Sequence, residues 1–99
     1  MNTLPWTYDR AQRVAARNEI LQFLQREGEA NTVAVAAGCQ HFQNEPLVIV
    51  LNFLQGLEKE GKVASELHSQ PESHYTWQLT ARGQGCARLL PRHDAAQSC

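Results

Sequence analysis

The stretch Leu54-Gln55-Gly56-Leu57-Glu58-Lys59-Glu60-Gly61-Lys62-Val63 contains a change of period. Upstream of Gly61, Leu47, Val50 or Leu51, Leu54 and Leu57 recur every three or four residues, the repeat of a helix with one apolar side. Downstream the repeat shortens toward two through Lys62-Val63-Ala64-Ser65-Glu66-Leu67-His68. A polar break, Ser69-Gln70-Pro71-Glu72-Ser73, separates this run from His74-Tyr75-Thr76-Trp77-Gln78-Leu79-Thr80. Two such runs around a turn-forming segment read as a β-hairpin. Gly61 suits the junction because glycine takes the left-handed conformation that ends many helices. The β-branched start of the helical run, Leu47 to Leu51, would also suit a buried strand, but the period continues to Leu57 and favours a helix.

Two further helical signals precede it. Residues 8 or 9 to 27 place Ala11, Val14, Ile20, Leu21 and Leu24 on one side, with Thr7 or Asp9 as N-cap and Gly28 as terminator. Asn31 and Thr32 then introduce an alanine-rich segment, Val33 to Ala37, that stops at Gly38. A polar link leads to Asn44-Glu45-Pro46, where Asn44 or Glu45 can cap the third helix and proline is tolerated in its first turn. Thr80 can cap a last helix over residues 81–90, although Gly83 and Gly85 each weaken it by roughly 1 kcal/mol relative to alanine. Pro91 ends it. The expected fold class is α+β, mainly α, in one domain over residues 1–90 with its core in 9–80, followed by a flexible tail over 91–99.

Ninety-nine residues leave room for one core and exclude a two-domain enzyme. No run approaches the roughly 18 to 20 apolar residues of a membrane span. Met1 to Trp6 has no positive segment followed by an apolar one, so the expected location is cytoplasmic, with no membrane partner. Nine Lys and Arg against ten Asp and Glu give a net charge of −1, so any nucleic-acid binding must come from a local patch. Three widely spaced cysteines, Cys39, Cys86 and Cys99, are the wrong pattern for a disulfide framework and lack a Cys-x-x-Cys metal knuckle. No cofactor or metal is expected. There is no nucleophile elbow and no phosphate-cradling glycine loop, so no enzyme is expected either.

Helix, short helix, helix and hairpin follow one another as in winged helix-turn-helix domains, and the local motifs agree. The L-x-x-L-x-K-x-G-K-V passage at Leu54 to Val63 resembles the exit from the third helix in many bacterial regulators of that superfamily. Tyr75 to Thr80 with Ala81-Arg82-Gly83 resembles the Y-x-L-T-x-x-G passage of MarR-like and PadR-like regulators, with Trp77 in the aromatic place. The resemblance covers about residues 9 to 80. It implies a three-helix core, a two-stranded wing and a short C-terminal helix, in a small bacterial or phage-type DNA-binding transcription regulator acting by site occupancy as a homodimer. The short, uncharged second helix departs from the pattern. Z-DNA-binding domains share the order and the place of Trp77, but Leu51 and Gln55 stand where those domains carry their asparagine and tyrosine.

In that reading the third helix enters the major groove, where amide side chains can pair with adenine. The base-reading residues would be Gln43, Asn44, Asn52 and Gln55. Phosphate contacts would come from Arg10, Arg13 and Arg17, one basic stripe on the first helix, and from Lys59 and Lys62. Gln70, Ser73 and His74 would belong to the wing, whose Glu72 opposes deep groove insertion. The same polar residues also suit an ordinary solvated face. Val48, Ile49 and Phe53 extend the apolar arc of the third helix and call for a cover: Ile49 and Phe53 could pack on the first helix or the hairpin, meet a twin subunit, or bind another protein. The last option supports an alternative, an adaptor or phage-type inhibitor that docks another protein through Ile49 and Phe53 and does not bind DNA.

Overall fold

The computed structural model describes residues 9–70 and 72–89, and the expectations for Thr7, Tyr8, Leu90, Pro91 and the tail lie outside these residues. Helix α1 spans Arg10–Glu27. Asp9 Oδ1 accepts the Gln12 amide at 2.7 Å while Gln12 Oε1 accepts the Asp9 amide at 3.0 Å, so two otherwise unpaired donors are satisfied reciprocally. Gly28, at φ 86°, ends the helix and donates its N–H to Leu24 O.

Strand β1, Glu29–Asn31, follows at once. Asn31 then caps α2, Thr32–Gly38, by accepting the Ala34 amide at 2.8 Å. A single 3-10 turn, Gln40–Phe42, connects to α3, Leu47–Lys59. Helix, not strand, is therefore the state of the β-branched run. The N-cap is Pro46, without a side-chain cap, in place of the expected Asn44 or Glu45. The hairpin is formed by β2, Val63–His68, and β3, His74–Leu79, and α4 covers Ala81–Leu89. The fold is α+β and mainly helical.

The sheet is antiparallel with order β1-β3-β2. Trp77 lies opposite both Ala30 and Ser65, so these three share one face, while Glu29, Glu66, His68, Thr76 and Gln78 share the other. The helices cover the first face. Trp77 is buried there, and its indole Nε1–H donates to Thr32 Oγ1 at 2.9 Å, tying β3 to the start of α2. Ile20, Leu24, Val35, Phe42, Ile49, Leu54 and Leu57 complete the centre of the core, and the Phe42 and Phe53 rings meet at 5.3 Å.

The buried side of α3 is Ile49, Val50, Phe53, Leu54 and Leu57. Leu47 is 46% exposed and Leu51 only partly buried, so the helix is rotated relative to the expected leucine stripe. The leucine repeat and the Ile49–Phe53 repeat are both helical, and only the packing partners select between them.

The hairpin is fastened to the start of α4. Thr80 donates its N–H to Lys62 O at 3.1 Å and its hydroxyl to Gly61 O at 2.6 Å, while Oγ1 accepts the Gly83 amide. A Cβ on Gly83 would lie 1.9 Å from the Lys62 carbonyl oxygen. The Leu-Thr-x-x-Gly passage is thus a docking unit between helix and strand, and Gly83 is required for close approach.

Candidate functional site

Because Ile49, Val50, Phe53, Leu54 and Leu57 face inward, the opposite side of α3 carries Val48, Asn52, Gln55 and Lys59, all exposed. Asn52 lies on the flank nearest α1. There, Arg10, Arg13 and Arg17, spaced by about one turn each, line a groove of about 400 Å³ with Val14, Asn52, Phe53, Gly56 and Glu60. The basic stripe and one amide side chain therefore meet in one depression, whereas Gln55 and Lys59 continue the surface beside it. Gly56 keeps the α3 wall low, since no heavy atom lies within 4 Å of where its Cβ would be.

Several expected contacts are placed elsewhere. Lys62 is 6% exposed, with Nζ 2.9 Å from Glu60 Oε1, and is a structural cation in place of a phosphate ligand. Lys62 directly precedes β2 and turns inward with it. Arg17 pairs with the same Glu60 oxygen, which partly neutralises its end of the groove. Gln43 is exposed and donates through Nε2 to Ala37 O at 3.2 Å, at the end of α2. Asn44 is exposed. Ile49 and Phe53 are 0% and 6% exposed, so both pack in the core and form no docking surface, and the Phe53 ring meets Phe42 at 5.3 Å. Gln70 and Ser73 are exposed in the loop between β2 and β3. His74 is half-buried, with Nδ1 2.7 Å from Glu72 O and its ring stacked on His68 at 5.1 Å.

Apolar exposure occurs on the other flank of α3. Val33, Leu47, Val48, Leu51 and Tyr75 line a groove of about 460 Å³ with Asn31, Thr32 and His74. Val33 is 59%, Val48 50% and Tyr75 47% exposed. Tyr75 has the strand parity of Trp77 but extends past the helices, and that alternation is the signal in the sequence that would have found it.

The buried groups are chemically quiet. Burial raises the Cys39 thiol to about 12, the nearby Glu19 charge adds to this, and Arg26 opposes it, so the thiol stays protonated. Burial also raises Glu19, but the His41 side chain, the Gln40 and His41 amides and the His41 charge together hold its carboxyl below the usual range. Its two oxygens accept those amides at 2.8 and 3.1 Å and pin the 3-10 turn to α1. Among the described residues no helix is long and apolar enough to cross a membrane. No protein-family model matches the chain, and no curated protein matches it.

Proposed function

We propose that the chain is a winged helix-turn-helix domain that binds duplex DNA as a transcription regulator, acting by site occupancy and as a homodimer. The element order α1-β1-α2-α3-β2-β3 and the sheet order β1-β3-β2 support the fold assignment. The observation that carries the function is the shared groove of Arg10, Arg13, Arg17 and Asn52, beside exposed Gln55 and Lys59. The arginines and Lys59 would neutralise phosphates and fix the register of α3, while Asn52 and Gln55 would read base edges. Val48 would meet a thymine methyl group. Arg17 would contribute least because Glu60 already holds it.

Binding to duplex DNA, followed by fluorescence anisotropy, tests these roles separately. Arg10→Ala with Arg13→Ala should weaken binding to every sequence and reduce the salt slope by about two, whereas Gln55→Ala should change preference among sequences. Unchanged binding in both variants would refute the assignment.

The apolar groove of Val33, Leu47, Leu51 and Tyr75 favours a second reading, a winged helix that docks another protein. It predicts that Tyr75→Asp abolishes association with a partner while Arg10→Ala and Arg13→Ala leave it intact.

A further inference from the structure

The sheet face turned away from the helices carries a donor cluster separate from the α3 surface. Glu29 on β1 and Glu66 and His68 on β2 bring one ligand atom each within 4.8 Å of the others, across the intervening β3. The convergence follows from register. Glu66 lies opposite Thr76 and His68 opposite His74, while Asn31 of β1 also faces Thr76, so outward side chains from both edges lean over the same point of β3. Thr76 ties two of them together: its hydroxyl donates to Glu29 Oε2 at 2.7 Å, and His68 Nε2 lies 3.0 Å from Thr76 Oγ1. The His74 ring stacks on His68 and limits its rotation. Among the described residues, neither carboxylate has a lysine or arginine ion-pair partner. Two carboxylates and an imidazole thus share one spot.

We propose that Glu29, Glu66 and His68 bind a divalent transition-metal ion of the zinc type. One nitrogen and two carboxylate oxygens form a three-ligand set to which water adds the fourth position. Donors around tetrahedral zinc lie roughly 3.3 Å apart, given metal–ligand bonds of about 2.0 to 2.2 Å. Small side-chain rotations close the present spacing without moving the strands. A magnesium or calcium ion would have little use for the imidazole, since both prefer oxygen ligands. The bound ion would join β1 to β2 over β3 and brace a first strand only three residues long.

The test uses the full chain, stripped with a chelator and titrated with zinc by calorimetry, with cobalt(II) as a spectroscopic substitute. One site is expected, with affinity reduced at least about 10-fold in Glu66→Gln and in His68→Asn. The thermal midpoint should rise with zinc in the parent chain and not in His68→Asn. Cobalt should give ligand-field bands without a thiolate charge-transfer band. Both variants change outward side chains, and far-UV circular dichroism verifies their fold. Absence of zinc binding, binding unchanged in His68→Asn, or a cobalt–thiolate band would each overturn the proposal.

Discussion

Glu60 holds two cations with one carboxylate oxygen, Arg17 from α1 and the buried Lys62, while its carbonyl accepts a hydrogen bond from Arg82 of α4. Glu60→Gln should destabilise the fold by about 1 to 3 kcal/mol, because the Lys62 ammonium loses its charged partner. The same change should strengthen DNA binding by releasing Arg17 into the groove. Chemical denaturation and anisotropy on one preparation check both outcomes, and a variant with unaltered stability would remove Glu60 from this role. Glu19 gives a pH prediction. Its folded pKa lies below the usual value, so its contribution is fully present above the ordinary carboxylate range and is lost as pH falls through the folded value. Glu19→Gln should therefore flatten the loss of stability between about pH 7 and pH 3, measured as urea midpoints. Most of these partners were illegible in the sequence because they join residues far apart in the chain, as Arg17 with Glu60 and Glu19 with His41.

The two glycines of α4 should behave oppositely when replaced. At Gly85 nothing lies within 4 Å of an added Cβ, so Gly85→Ala should stabilise by about 1 kcal/mol through helix propensity alone. At Gly83 the added carbon meets the Lys62 backbone, and Gly83→Ala should destabilise by about 2 kcal/mol or more as the helix is pushed off the hairpin. Thermal midpoints that shift in the same direction would contradict this account of α4. The helices and the hairpin were legible because each has its own period and terminator, as at Gly28 and Gly61. Strand β1 was not, since three residues carry no period and Glu29-Ala30-Asn31 becomes a strand only by pairing with β3. The rotation of α3 was hidden for a related reason: an apolar arc that includes Leu47, Ile49, Val50, Phe53 and Leu57 permits more than one inward side.

The molecule as a whole separates its surfaces: a cationic groove on one flank of α3, an apolar groove on the other, and a metal-ligand cluster on the open face of the sheet. The outward set Asn52, Gln55 and Lys59 and the arginine stripe were legible from helical spacing. The placement of Lys62 and Gln43 was not, because burial and carbonyl contacts decide it. A homodimer on a two-fold site predicts a dimer mass in sedimentation at micromolar concentration, and a monomer throughout that range would remove this part of the proposal. DNA binding itself is tested most directly by anisotropy against random-sequence duplex at two salt concentrations. Three phosphate contacts, from Arg10, Arg13 and Lys59, predict about a 40-fold loss of affinity between about 50 and 200 mM salt. Failure to bind at the lower concentration, or an affinity indifferent to salt, would contradict the proposed function.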